Sequence, residues 1–408
     1  MMNDIVRNEI AAYAKNNYST DKMLSEYYGL YDRITKNKRI LVIDVNYKFS
    51  STGQIVYNIY SNGEKYGKDV AVCYGRGANS QDKNVFKFGV DCETFVHAGL
   101  SRITGYNGCF SFFSTRRLIA FIKKFKPDII HIHELHAYFV NIKPLIEYIK
   151  KSKISLVWTF HCEYMYTGKC GHAYECRNFQ NGCGNCPAVR DYPKSLFFDK
   201  TAEMFRNKEK LLRDLDFTIV TPSKWLERRV EMSFLNNKHI VTIFNGVDTK
   251  VFYPRNPEKV RNDLKIEQGT KVVLFVAPNL FDENKGWKWV QKLALMLNDE
   301  KIVFLLVGQG DVEGDYPDNM KFVGGIDDKN TLAAFYSLAD VFLLCSKRET
   351  YSLTCAEALC CGTPVVGFES GAPETVFKGA YASFVPYGDI QKMKEQLLQK
   401  IKKYEMQE

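Results

Sequence analysis

The stretch that most constrains this chain runs from Asp340 to Gly367. An unbroken apolar run, Asp340-Val-Phe-Leu-Leu-Cys345, reads as a strand buried on both faces, as in a parallel sheet. Leu353 to Cys361 then reads as a helix, closed by Gly362 and followed by Pro364. Strand, loop and helix in that order form half of a crossover unit. Open sheets built from such units bind ligands beyond the carboxyl ends of their strands. The loop and the first helical turns carry two carboxylates, Glu349 and Glu357, with seven residues between them. The N–H groups of Ser352, Leu353 and Thr354 fall at the helix N-terminus, where phosphate oxygens are favoured. Two carboxylates flanking an anion site suit a ligand with a phosphate-rich part and hydroxyls on either side, such as a nucleotide-sugar. Two solvated surface charges are the plainer alternative.

The same pattern recurs along the chain. Apolar runs at Arg39–Val45, Val70–Tyr74, Pro127–His133, Ile154–Phe160, Phe217–Val220 and Ile240–Phe244 alternate with helical spacing. After a linker at Phe252–Pro257 it resumes at Lys271–Val276, Ile302–Val307 and Met320–Val323. The expected fold is α/β, with two Rossmann-like doubly wound domains facing a central cleft. The expected boundaries are a helical extension over 1–36, an N-terminal domain over 37–250, a C-terminal domain over 251–388 and a last helix over 389–408. Asn245-Gly-Val-Asp248 reads as a turn in the hinge region, and Ser223 as a helix N-cap.

Several strand ends carry polar residues. Ser51, Thr52 and Gly53 lie between the first strand and its helix, where a glycine lets backbone approach a ligand. Alternation puts His131 and His133 on one face of their strand, with His136 beyond it. A metal site, satisfied core histidines (best for His131) and a cleft-facing histidine (best for His133) are the competing readings. His161 follows the next strand. Lys285 stands on a strand-to-helix loop, where a diphosphate could be neutralised. Asn279 precedes it, and Gly308 makes a close turn after another strand.

The Glu349–Glu357 spacing, the His131-x-His133 strand, Asn245–Asp248 and Lys285-Gly286 together resemble retaining glycosyltransferases of family 4, with the GT-B fold. The likeness runs over about residues 38–400 and leans to a bacterial, colanic-acid-type polysaccharide branch. It implies that Glu349 binds donor sugar hydroxyls and Glu357 the ribose. It places His133 beside the sugar with His131 second; His161, by its place at a strand end, is a second-rank candidate for donor or acceptor contact. Lys285 would share the diphosphate with an arginine, but Asn279 occupies that position here. The implied reaction moves a sugar from a nucleotide-diphosphate donor to a glycan or lipid-linked acceptor, with no catalytic cofactor. In the mechanism suggested for the family, the leaving phosphate deprotonates the acceptor. A sugar-phosphate synthase or epimerase of the same fold, and a non-catalytic nucleotide-sugar-binding protein, are the alternatives. Ser19–Ile34 resembles the closing helix of many such enzymes, displaced to the front of the chain.

A formal charge of +9, spread along the sequence without a long basic block, suits anionic ligands and is weak evidence for nucleic acid, which is not expected as a partner. The sequence shows neither a membrane-length apolar run nor a signal-peptide core, so a cytoplasmic protein, at most touching the inner face of the membrane, is expected. Tyr192–Leu212 reads as a Lys-rich helix that is solvated or meets anionic lipid. Of the twelve cysteines, Cys73, Cys345, Cys355, Cys360 and Cys361 fall in expected strands and helices and read as small apolar residues. Cys170, Cys176, Cys183 and Cys186 differ. Their C-x5-C-x6-C-x2-C spacing, inside an insertion over 162–190, suits a structural zinc, with two disulfides as the alternative.

Overall fold

The computed structural model describes residues 3–310 and 315–405. Residues 406–408 of the expected last helix lie outside the described residues, and the rest of that helix spans Ile390–Glu405. The chain divides into two compact units, one of residues 24–244 and one of residues 1–23 with 245–408.

In the first unit seven strands form one parallel sheet: β1 (Arg39–Asp44), β2 (Asp69–Tyr74), β3 (Val85–Lys87), β4 (Ile129–Ile132), β5 (Ser155–Thr159), β6 (Thr218–Thr221) and β7 (His239–Thr242). Their order is β3-β2-β1-β4-β5-β6-β7. Helices cover the sheet, and its inner strands β1, β2, β4, β5 and β6 are largely buried, as in parallel sheets generally, while the edge strands β3 and β7 are partly exposed. Ser223 caps the helix Lys224–Glu231 as its position predicts, accepting the Leu226 N–H at 3.2 Å.

In the second unit six strands form another parallel sheet: β8 (Lys271–Asn279), β9 (Ile302–Gln309), β10 (Met320–Gly324), β11 (Val341–Leu344), β12 (Val365–Phe368) and β13 (Ala382–Val385). Their order is β10-β9-β8-β11-β12-β13. The strand order therefore reverses between β1 and β4 in one sheet and between β8 and β11 in the other. Ligands of doubly wound sheets bind at such reversals.

Residues 3–34, within the expected helical extension, pack into both units rather than standing apart. The helix Asp4–Tyr18 lies against Leu353–Cys360 in the second unit. Its buried Arg7 donates to the Ala339 carbonyl at 2.9 Å. The helix Thr20–Ile34 drives Tyr27, Tyr28 and Tyr31 into the first unit's core. Tyr27 bonds the Thr159 hydroxyl at 3.0 Å, Tyr28 donates to the Ile59 carbonyl, and Tyr31 reaches His131 Nδ1 at 2.7 Å. The closing-helix likeness of this segment has a physical counterpart, because it packs on the N-terminal sheet from the front of the sequence. The Asn245–Asp248 turn also meets this segment. Val247 N–H donates to the Tyr18 carbonyl at 2.8 Å, and the Val247 carbonyl accepts Thr20 N–H at 2.9 Å.

Candidate functional site

In the second unit the loops after β8 and β11 flank the strand-order reversal, and they are stitched together. Lys347 N–H donates to the Asn284 carbonyl at 2.8 Å. Gly286, at φ +77°, lies so close that a Cβ there would overlap the Cys345 carbonyl oxygen. Only glycine lets the two loops meet this tightly. On that frame Lys285 Nζ lies 2.8 Å from Glu349 Oε1. The Glu349 charge raises the Lys285 ammonium above its ordinary value against the effect of burial. Glu349 is fixed by its backbone, its N–H donating to the Ser370 carbonyl at 2.9 Å.

The helix Leu353–Cys360 follows directly. Its cap, Ser352, sits at φ +82° and accepts the Cys355 N–H at 3.4 Å, and the Thr354 hydroxyl lies 3.1 Å from the Ser352 hydroxyl. Leu353 opens the helix. Glu357, one turn in, accepts the Tyr336 hydroxyl at 3.0 Å. Burial pushes the Glu357 carboxyl up to about 7, against the opposing pull of Tyr336 and Lys329. Asn279 ends β8, is exposed, and spends its side-chain oxygen on the Phe281 N–H at 2.9 Å. Gly308 packs the end of β9 against β8, where a Cβ would overlap the Ala277 carbonyl oxygen.

In the first unit the loops after β1 and β4 flank the other reversal. His131 is a satisfied core histidine, held by Tyr31 on Nδ1 and by the Thr159 hydroxyl at 2.8 Å on Nε2. His133 shares its face, with ring centroids 4.2 Å apart. Its Nδ1 lies 2.9 Å from His161 Nε2, and its own buried Nε2 has no hydrogen-bond partner among the described residues. Burial lowers both His133 and His161, so the pair is neutral at physiological pH. Gly53 is not in the turn but inside the helix Ser50–Ser61, where its Cβ position faces Asn46 at 3.3 Å. The β1 loop is shorter than the sequence suggests because the helix starts at Ser50.

Three residues in this unit escape a reading of spacing alone: Asp44, Glu134 and Cys162. Asp44, the last residue of β1, is fully buried and accepts the Glu134 N–H at 3.0 Å. Burial pushes Asp44 up to about 7. Glu134 Oε2 lies 2.6 Å from His136 Nε2 and accepts the Cys162 thiol at 3.4 Å. Among the described residues Glu134, His136 and Cys162 are the one group of three metal-ligand types whose atoms lie mutually within 4.8 Å. Their common signal in the sequence is position, since each lies at or just beyond the end of a strand. Cys170, Cys176, Cys183 and Cys186 line one small pocket in the insertion. The Lys-rich segment forms a helix only over Thr201–Leu212, and its Lys208 is buried rather than solvated.

Two family profiles match the chain. One, described as Glycosyltransferase Family 4, covers residues 53–251, and the other, Glycosyl transferases group 1, covers residues 270–403. The chain belongs to the family 4, group 1 glycosyltransferases. Among relatives, a protein named as the colanic acid biosynthesis glycosyl transferase WcaC of Escherichia coli is 26% identical over 263 residues. That match covers 62% of this chain and 62% of the relative, so the chain spans less than two thirds of that relative's length. The fold is GT-B, like that of sucrose-phosphate synthase from Thermosynechococcus elongatus, with TM-score 0.60, 18% identity and 89% of each chain covered. The catalytic domain of starch synthase IV from Arabidopsis thaliana, solved with ADP and acarbose, has TM-score 0.58 and 15% identity over 90% of this chain and 92% of its own. At such identities the likeness concerns the fold.

Proposed function

We propose that this protein transfers a sugar, with retention, from a nucleotide-diphosphate donor to a glycan or lipid-linked acceptor in surface polysaccharide synthesis. The carrying observation is the Lys285–Glu349 pair, held on the two loops that flank a strand-order reversal and followed at once by a helix N-terminus. The donor diphosphate would lie against the N–H groups of Leu353 and Thr354, with Lys285 on its oxygens and Glu349 accepting from sugar hydroxyls. Glu357 would accept from the ribose. Within the first unit, His133 offers its unpaired Nε2, with His131 and His161 beside it, as a partner for a sugar hydroxyl. In the step itself the bond from the anomeric carbon to the phosphate oxygen breaks. The acceptor oxygen bonds to that carbon on the same face, and its proton passes to the leaving phosphate. Lys285 and the helix N–H groups would stabilise the charge that develops on the departing diphosphate.

A peripheral contact with the membrane fits the same reading. Phe95, Phe112, Phe113, Phe197 and Phe198 are exposed in the first unit. Their segments are joined, since Phe113 N–H donates to Glu93 at 2.8 Å and Leu196 N–H to the Arg102 carbonyl at 2.8 Å. Exposed Arg102, Arg116 and Lys194 stand among them and complement an anionic lipid surface.

A nucleotide-release screen of UDP-, GDP- and ADP-sugars against a lipid-linked acceptor tests the proposal, with product anomers assigned by NMR. Release with an α-linked product from an α-donor supports it. Inversion overturns retention, a product from free sugar phosphate favours a synthase, and nucleotide binding without turnover favours a binding protein.

A further inference from the structure

We propose that Cys170, Cys176, Cys183 and Cys186 bind one zinc ion as a closed tetrathiolate site that pins the insertion over 162–190 to the helix Thr201–Leu212. The four side chains line a single pocket, together with Thr167, Gly168 and Thr201. All four are free thiols rather than paired as disulfides.

Three further features are those of a thiolate cage. Backbone N–H groups already point at sulfur. Gly168 N–H donates to Cys183 Sγ at 3.2 Å, and Ala188 N–H donates to Cys186. A thiol is a weak acceptor, whereas a metal-bound thiolate is a good one. The turn between the last two cysteines is also strained, with φ of +56° at Cys183, +102° at Gly184 and +46° at Asn185. Such a run costs free energy for the two non-glycine residues and persists where its surroundings hold it. Here they do. Gly184 N–H donates to the Thr201 hydroxyl at 3.2 Å, and Cys186 N–H to Asp199 at 2.7 Å.

Charge is the third feature. Lys169 and Lys208 are both buried beside the pocket. Lys169 donates to the carbonyls of Val189, Asp191 and Pro193, and Lys208 to those of Tyr164, Thr167 and Gly168. These are neutral acceptors, so neither ammonium has its charge matched by them. A divalent zinc with four thiolates carries a net charge of about −2, which would favour the cationic form of both buried lysines. No three of the four sulfurs lie mutually within 4.8 Å. Zn–S bonds of about 2.3 Å would bring them to roughly 3.8 Å. Binding therefore draws the four side chains inward around the pocket. With four thiolates no position is left for substrate, so the site is structural.

The test is zinc content of full-length protein purified without a histidine tag. About one equivalent per chain is expected, falling below about 0.2 in Cys186→Ser and unchanged in Cys162→Ala. Cys162 belongs to the separate Glu134–His136 group, so zinc that follows Cys162 overturns the assignment. Should Cys186→Ser fail to fold, mercurial titration of the unmodified protein decides alone. Release of zinc in step with about four thiols supports the site. Protein free of zinc with four reactive thiols, or a disulfide among these cysteines by mass spectrometry, overturns it. Each result is independent of glycosyl transfer, so the activity and the metal stand or fall separately.

Discussion

Lys285 Nζ lies 2.8 Å from Glu349 Oε1, although the two residues come from loops after different strands. Before any donor arrives, the pair keeps the ammonium charged and holds it against the Glu349 carboxylate. On the proposed function, a donor diphosphate would compete with Glu349 for Lys285 and so free the carboxylate to accept from sugar hydroxyls. Glu349→Gln and Lys285→Ala should each lower kcat/KM on the order of 100-fold or more. Because the two act as a unit, the double variant should lose little beyond the worse single one. Steady-state kinetics of the three variants checks this, and fully additive losses would show that the two residues work separately.

Glu357 sets the second expectation. Burial raises its carboxyl to about 7, above its value in an unfolded chain. The sign for stability follows: the protonated form is favoured in the folded state, so its contribution is present at low pH and lost as pH rises through about 7. If Glu357 holds the ribose as proposed, the sign for donor binding is opposite, since the carboxylate is the better acceptor for the ribose hydroxyls. Donor KM should therefore rise as pH falls below about 7, and Glu357→Gln should flatten that profile. A profile unchanged in the variant would remove Glu357 from the ribose.

The N-terminal helices should prove structural in both units. Arg7→Ala removes a buried guanidinium and strands the Ala339 carbonyl, a loss of about 2–4 kcal/mol. Tyr31→Phe removes the bond to His131 Nδ1 in the other unit and should cost about 1–2 kcal/mol. Denaturant unfolding of each variant measures both. A midpoint unmoved in either would mean that its helix only rests on the surface.

These helices also mark where the sequence was hard to read. The strands were legible because a parallel strand buried on both faces is written as an uninterrupted apolar run, as in Val341–Leu344. Lys285, Glu349 and Glu357 were legible because they follow such runs at fixed distances. Arg7 and Tyr31 were not, since their partners Ala339 and His131 lie 332 and 100 residues further along the chain and no local period encodes that pairing. Asp44 and Glu134 were missed for a related reason. Each looks like an ordinary strand-end acid until the β1–β4 reversal brings the Glu134 N–H onto the Asp44 carboxylate.

The exposed aromatic residues of the first unit predict a lipid dependence. Replacing Phe112, Phe113, Phe197 and Phe198 by serine removes side chains that contact solvent, so folding should be unaffected. Sedimentation with phosphatidylglycerol vesicles should fall at least about tenfold in that variant and should weaken with salt. Equal binding by both proteins would leave the patch without a lipid role.

Glu134 and His136 give the last expectation, and it depends on the sign of two opposed shifts. Burial alone would raise Glu134, but His136 brings it down to about 2. Burial alone would lower His136, yet Glu134 outweighs it and raises the imidazole well above its ordinary value. The raised histidine stabilises the fold below its unfolded value of about 6.5, and that contribution is lost as pH rises through the folded one. The depressed carboxylate stabilises the fold above about 4.3, and that contribution is lost as pH falls toward about 2. The pair thus supports the fold across the neutral range, with His136 cationic and held next to the strand ends. Glu134→Gln removes the largest influence that opposes burial, so His136 should become neutral at pH 7 and the pH dependence of stability above about pH 6.5 should flatten. Imidazole carbon shifts of selectively labelled protein report the protonation directly. A His136 that stays protonated in Glu134→Gln would mean that another group, and not this carboxylate, holds its charge.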